Sequence, residues 1–485
     1  MSANLKQQTA TAFIWSAIQN WGMKLFTILV FLILARYLSP AELGLASTVT
    51  LVLAFVAVIS EQGFTGAIVQ RKNLQPKDLN LPFIISIGTS LLASCLLIIF
   101  SKEIAHQLRA DDAASLIKLA AIIPPITAAI NFESAMRKRA LDFQGLAKAS
   151  LLSGVLAGII AIALAANNFG ALSLVVQAIA TAAIIGVVLL RSRIWHPVKG
   201  ISTENFRSLF SYSSNVFVSK LLDFFSGRII EFIIIGKFGI AAFGLYTVGS
   251  KLYLTVRQLL CDVLYDVSFS AMSRISIEID RFRQVYLRFI FLASCTTIAL
   301  FTLMAALASE LCSLLFGEKW VGVDQVMQWL CLSGAIEVVH YFNYAALSAS
   351  GKSRAILYLT VIKLVSGIAA MMLSNAESIS EITLYFVISQ IACFPISLLY
   401  AMKATKSKGV DVLRQMTPGL IATFDAWCAV LIVRPTIEAM HSGLLPSMIM
   451  LGFIFVCVFL FILWLGCSKR LVVEFRYILS AYTRK

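Results

Sequence analysis

The chain has 485 residues, of which 59% are hydrophobic and 13% charged, where an average soluble domain carries roughly 25% charged residues. That balance excludes an ordinary soluble protein, and no soluble block interrupts the apolar series, so the expectation is one polytopic, all-α membrane domain. The formal charge of +15 raises nucleic acid as a partner, but the basic residues lie at the ends of apolar segments, which points to lipid instead.

A hydrocarbon core of about 30 Å takes roughly 20 helical residues. In chain order about fourteen apolar runs of that size emerge, near 12–38, 43–69, 79–101, 114–136, 146–166, 170–190, 208–236, 240–267, 284–308, 324–349, 354–374, 379–402, 415–434 and 445–466. The first continues from about Phe13 to Leu38, too long for a cleaved leader, and is expected to be a retained span. With the N-terminus inside, the inner loops collect most of the 40 Lys and Arg residues, while the outer loops hold only Arg36, Lys102, Arg109, Lys118, Lys237, Lys319 and Arg434. This asymmetry predicts an even number of spans with both termini cytoplasmic.

No connection between spans exceeds about twenty residues, which leaves no room for the large outer loop on which a glycan polymerase or ligase commonly builds its sites. Motifs of soluble chemistry are missing as well. Gly351-Lys352-Ser353 lacks the first glycine of a phosphate-binding loop, and residues 244–251 displace its Ser and Lys into an apolar span. His106, His196, His340 and His441 are far apart and lack metal-ligand spacing. No G-x-S-x-G elbow occurs. The nine cysteines are odd in number, contain no C-x-x-C pair and fall in apolar runs, so they read as packing residues. The chain is expected to be no enzyme and to hold neither metal nor organic cofactor.

A charge at mid-bilayer costs about 2.5–3.5 kcal/mol on insertion scales, so such residues usually face a bundle interior or an aqueous cavity. In span seven, Lys220, Asp223, Gly227 and Glu231 fall within about 80° of one another on a helix, with Arg228 beside them. Span eight places Lys251, Thr255, Gln258, Asp262 and Asp266 on one face and Arg257 off it, and span one offers Asn20, Lys24 and Thr27. Single charges occur at Glu61, Glu337, Lys363 and Asp425. Two readings stay open. Lys220 with Asp223, and Arg228 with Glu231, are three residues apart and suited to local ion pairs, and Asp262 and Asp266 lie near the inner interface. Alternatively these residues line a hydrated cavity for an anionic or polar cargo, with embedded acids such as Glu61, Asp223, Glu231 and Asp262 as sites for a coupling proton or sodium ion.

Residues 34–46, L-A-R-Y-L-S-P-A-E-L-G-L-A, match residues 235–246, I-G-K-F-G-I-A-A-F-G-L-Y, with one gap, pairing Gly44-Leu45 with Gly244-Leu245. The repeat predicts two six-span halves in parallel orientation, with a site at their interface. The expected division is 1–200 for the first lobe, 201–408 for the second and 409–485 for two added spans and a cytoplasmic tail.

With L-A-R-Y-L-S-P-A-E-L-G-L at 34–45, E-Q-G-F-T-G-A-I-V-Q-R-K at 61–72, M-R-K-R-A-L-D-F at 136–143, R-I-I-E-F-I-I-I-G at 228–236, L-L-F-G-E-K-W at 314–320 and A-L-S-A-S-G-K at 346–352, the chain resembles the polysaccharide transporter family. These are the Wzx-like oligosaccharide flippases of the multidrug/oligosaccharidyl-lipid/polysaccharide superfamily. In the colanic-acid-exporter-like branch the span-seven motif carries onto Arg228, Glu231 and Gly236, with Glu in place of Asp, and the acid of the second-span motif falls on Glu61.

The resemblance implies a polyprenyl-diphosphate-linked oligosaccharide as substrate, moved across a bacterial inner membrane by alternating access for surface polysaccharide, beside other membrane proteins of that pathway. Lys24, Lys220, Arg228, Lys251 and Arg257 are candidate diphosphate partners, and Asn20, Thr27, Thr255 and Gln258 candidate polar walls for the sugar. An ion-coupled exporter of small organic cations is the alternative if Asp223, Glu231 and Asp262 dominate.

Overall fold

In lipid every backbone N–H and C=O must be paired within its own segment, so apolar runs of this length fold as helices. The computed structural model describes residues 3–61, 64–70, 75–200, 204–440 and 443–483, and among them there is no strand. The helices are α1 (Ala3–Tyr37), α2 (Pro40–Glu61), α3 (Phe64–Gln70), a 3-10 turn (Pro76–Leu79), α4 (Asn80–Ile99), α5 (Ser101–Gln107), α6 (Ala113–Ala120), α7 (Ile123–Arg139), α8 (Phe143–Ala166) and α9 (Leu172–Arg191). They continue as α10 (Glu204–Phe238), α11 (Ile240–Arg274), α12 (Ile279–Cys295), α13 (Thr297–Ala306), α14 (Ala308–Phe316), α15 (Val323–Ala349), α16 (Ser353–Leu373), α17 (Ile379–Ala392), α18 (Phe394–Thr405), α19 (Gly409–Ala439) and α20 (Leu444–Thr483).

Among the described residues eleven helical stretches are long and apolar enough to cross a bilayer. The other three of the fourteen expected spans are α10, α11 and α15, continuous helices of 35, 35 and 27 residues. Their ionisable and polar side chains dilute the apolar signal that marks the rest. The chain forms two compact units, Met1–Val248 and Gly249–Lys485.

In the first unit, small residues let helices approach. Gly154 and Gly158 of α8 lie against Met23, Phe26 and Val30 of α1. The turn from α1 to α2 is a capping box: Ser39 N–H donates to Glu42 Oε2 at 2.7 Å while Glu42 N–H donates to Ser39 Oγ at 3.3 Å, with Pro40 at the first helical position. One turn further, Gly44 meets the start of α11. A Cβ on Gly44 would fall inside the Ile240 carbonyl, and one on Gly244 inside the Pro40 carbonyl. The two copies of the glycine–leucine repeat therefore meet at one crossing.

The connection after α9 is also fixed. Arg137 donates to Asp142 Oδ2 at 2.6 Å and to Ser192 Oγ at 2.8 Å, and also to the Ser192 carbonyl. Glu133, 3.3 Å from Arg137 Nε, accepts from Ile194 N–H at 2.9 Å. Asn80 Nδ2 donates to the carbonyls of Val198 and Gly200, each at 2.6 Å. Trp195 closes this region, its ring 4.8 Å from Phe132 and 5.4 Å from Phe83.

In the second unit, α19 and α20 pack on α12 and α13 through Phe291, Ala299, Ala426, Val430, Leu451 and Phe455. Gly419 of α19 touches Ser294 of α12 so closely that a Cβ would overlap the Ser294 carbonyl. A buried chain of hydrogen bonds joins α12, α15 and α18: Tyr286 O–H donates to Asn343 Oδ1 at 2.7 Å, and Asn343 Nδ2 donates to Ser397 Oγ at 3.0 Å. Every polar atom in that chain is matched, as a buried network requires. The cysteines are free. Cys312, on α14, is pushed up to about 12 by burial and secondarily by the Asp324 carboxylate, which keeps it a protonated packing group.

Candidate functional site: matched charges inside each unit

In the first unit, the last residue of α2 meets the middle of α10. Lys220 Nζ lies 2.6 Å from Glu61 Oε1, so Lys220 turns to another helix and Asp223, three residues away, is exposed. Glu61 also lines a small pocket with Ser60, Ser86, Thr127 and Asn131. Phe224 of α10 packs against Phe55 of α2, with ring centroids 5.6 Å apart and the planes tilted by 45°. Two turns on, Arg228 reaches both oxygens of Glu231, at 3.1 and 2.9 Å, and Glu231 is buried. This is the local pair that the spacing of three allows. Lys24 of α1 is half-buried, and Asn20 and Thr27 are exposed.

A charge reversal separates the interhelical pair from the local one. Glu61→Lys alone is expected to lower the apparent melting temperature in detergent by juxtaposing like charges, and Glu61→Lys with Lys220→Glu to restore most of the loss. Two equal, additive losses would show that the pair contributes nothing.

In the second unit, α11 and α15 build the more elaborate group. Tyr253 O–H donates to Glu337 Oε2 at 2.6 Å, and Arg257 Nη1 lies 3.3 Å from Glu337 Oε1 and 3.2 Å from the Tyr341 hydroxyl. Arg257 stacks over the Tyr253 ring at 5.9 Å. Thr255 Oγ1 donates to the Lys251 carbonyl at 2.8 Å, so this hydroxyl serves its own helix. Lys251 is half-buried, and Gln258 and Asp266 are exposed. The Asp262 side chain lies outside the described residues. Lys363 and Asp425 are half-buried on α16 and α19.

Three of the embedded bases named from sequence, Lys220, Arg228 and Arg257, thus face embedded acids, Glu61, Glu231 and Glu337. Tyr253, Tyr341 and His340 escape sequence reasoning, because an aromatic residue in an apolar run gives no sign of polar duty. The signal that could find them is position: Tyr253 and Arg257, and Glu337 and Tyr341, are each four apart and share a helix face. The Glu133–Arg137–Asp142 group is legible only as part of the M-R-K-R-A-L-D-F motif, and its geometry is that of a structural clasp.

Among the described residues, eleven apolar spans and three charge-bearing helices define a polytopic membrane protein. Its fold is shared with solved transporters. It resembles the lipid II flippase MurJ in an inward closed conformation with TM-score 0.76 and 14% identity, covering 93% of this chain and 98% of that one. It also resembles an inward-facing multidrug resistance MATE family transporter with TM-score 0.62 and 14% identity, covering 81% and 98%.

The chain belongs to the family described as polysaccharide biosynthesis protein, whose model matches residues 33–325. Its relatives include an uncharacterized membrane protein in the cps region of Klebsiella pneumoniae, 25% identical over 344 residues and covering 69% of this chain and 70% of the relative. The succinoglycan biosynthesis transport protein ExoT of Rhizobium meliloti is 24% identical over 343 residues, covering 69% and 68%. The lipopolysaccharide biosynthesis protein WzxC of Escherichia coli is 21% identical over 340 residues, covering 69% of each.

Proposed function

We propose that the protein is a flippase that turns a polyprenyl-diphosphate-linked oligosaccharide from the inner to the outer leaflet of a bacterial plasma membrane, for surface polysaccharide. The observation that carries this reading is the set of matched interior charges, Lys220–Glu61, Arg228–Glu231 and Arg257–Glu337, in a chain of the polysaccharide biosynthesis family. A diphosphate leaving water needs cationic or hydrogen-bonding partners. An empty carrier must hold those bases without stranding their charge in lipid, and resident acids do so. Relatives named for succinoglycan transport and lipopolysaccharide biosynthesis support the cargo class, and the MurJ-like fold suits alternating access.

On this reading residues 1–200 and 201–408 act as two lobes, with 409–485 as an addition and both termini cytoplasmic. Lys24, Lys220, Arg228, Lys251 and Arg257 take the diphosphate in turn, while Asn20, Thr255 and Gln258 border the sugar. The protein leaves its cargo chemically unchanged and draws on a coupling proton or sodium ion. It works beside the membrane proteins that make and extend the glycan.

The test is leaflet sidedness of a prenyl-diphosphate oligosaccharide in proteoliposomes, read with an impermeant sugar-oxidising probe. The expected result is faster exposure of the protected pool with the glycan intact, lost in Lys24→Ala and Arg228→Ala. Sidedness unchanged for several glycans, with export of organic cations from the same vesicles, would replace the reading by that of a cation exporter.

A further inference from the structure

We propose that Glu337 is an exchangeable counter-ion: the cargo diphosphate displaces it from Arg257, and the released carboxylate takes up one proton from solution. This deepens the flippase reading above and rests on it. In the resting arrangement Glu337 is anchored chiefly by tyrosine. Its Oε2 accepts from Tyr253 at 2.6 Å, whereas the Arg257 contact is 3.3 Å, long for a charge-assisted bond, which usually lies near 2.7–2.9 Å. The pair is reachable, with side chains 25% and 21% exposed. Arg257 Nε is buried with no hydrogen-bond partner, so one guanidinium donor is unmatched in the resting arrangement and gains a partner only when the side chain shifts with its counter-ion.

Once Glu337 is displaced, the neighbouring charges set its protonation. The groups facing Glu337 and its guanidinium are Tyr253, Arg257 and Cys261 of α11, His340 and Tyr341 of α15, and Lys363 of α16. Arg257 and Lys363 bring two positive charges against one carboxylate. A diphosphate diester brings two negative charges, so with Glu337 ionised the group would carry one uncompensated negative charge in a low-dielectric site. With Glu337 protonated it balances, and burial without a counter-charge favours the neutral form. Both states keep a hydrogen bond, since Tyr253 donates to the carboxylate and accepts from the carboxylic acid.

The test uses the full chain in nanodiscs and a synthetic prenyl-diphosphate N-acetylglucosamine, a diester that does not titrate between about pH 6 and 8. Calorimetry in buffers of different ionisation enthalpy is expected to show one proton taken up per probe bound. Because the complex holds the extra proton, affinity should weaken about tenfold per pH unit as pH rises. Glu337→Gln should bind with no proton uptake and a flat pH profile, and Glu337→Asp should keep the slope. Binding by the wild type without proton uptake, or an unchanged slope in Glu337→Gln, would overturn the exchange and leave the flippase reading standing. No binding by the wild type at any pH would overturn both. Should Glu337→Gln fail to fold, infrared difference spectra of the wild type decide: a new carboxylic-acid band on adding the probe supports the exchange, and its absence refutes it.

Discussion

Replacing Arg137 with methionine is expected to destabilise the protein by about 3–5 kcal/mol, the range for breaking one side of a buried charge pair. The side chains of Arg137 and Glu133 are 6% and 4% exposed. Without the guanidinium, Glu133 keeps its bond from Ile194 N–H but loses its counter-charge, while Asp142 and the Ser192 carbonyl lose their donor. Arg137→Lys should recover little, because one ammonium cannot reach Glu133, Asp142 and Ser192 together as the planar fork does. Thermal unfolding in detergent, with yield as a control, measures both. A methionine variant as stable as the wild type would show that the clasp contributes no net stability.

Gly44→Ala should be the next most damaging small change. The new Cβ meets the Ile240 backbone rather than a side chain that can swing away, so the first turns of α2 and α11 must separate. Overpacking of this kind costs about 1–3 kcal/mol. Gly244→Ala strikes the same crossing from the other side, against the Pro40 carbonyl. The two substitutions should therefore combine to less than their sum, since one displacement of the helices relieves both clashes. Strict additivity in a double-variant cycle would contradict a shared crossing.

Much of this architecture is written in local patterns. Apolar runs of bilayer length mark the helices, and Ser39-Pro40-Ala41-Glu42 carries its own capping box, because a cap involves residues three apart in sequence. The Arg228–Glu231 pair is readable for the same reason. Lys220 shows where local reasoning ends: Asp223 is the near acid at a suitable spacing, yet the ammonium pairs with Glu61, more than a hundred positions earlier in the chain. Helical periodicity says which face a side chain occupies and nothing about which helix it meets. Glu337 is visible as an embedded charge, but its tyrosine anchor and arginine partner come from α11, and neither can be inferred from α15 alone.

The resemblance motifs prove to be largely geometric instructions. Gly351, at φ +70°, closes α15 while Lys352 N–H returns to the Leu347 carbonyl at 2.9 Å. Asp142 caps α8 by accepting from Gly145 N–H at 3.0 Å and also receives Arg137.

The clasp around residues 192–200 bears on how the chain can be handled. Composition invites a cut near Gly200, between the expected lobes, to produce two pieces for co-expression or to insert a fluorescent reporter. Yet Asn80 and Arg137 hold the carbonyls of this stretch, and Trp195 is packed between Phe83 and Phe132. A break or insertion here would release buried donors and an indole together, so the segment behaves as a strut of the first unit and is a poor joint for splitting the protein.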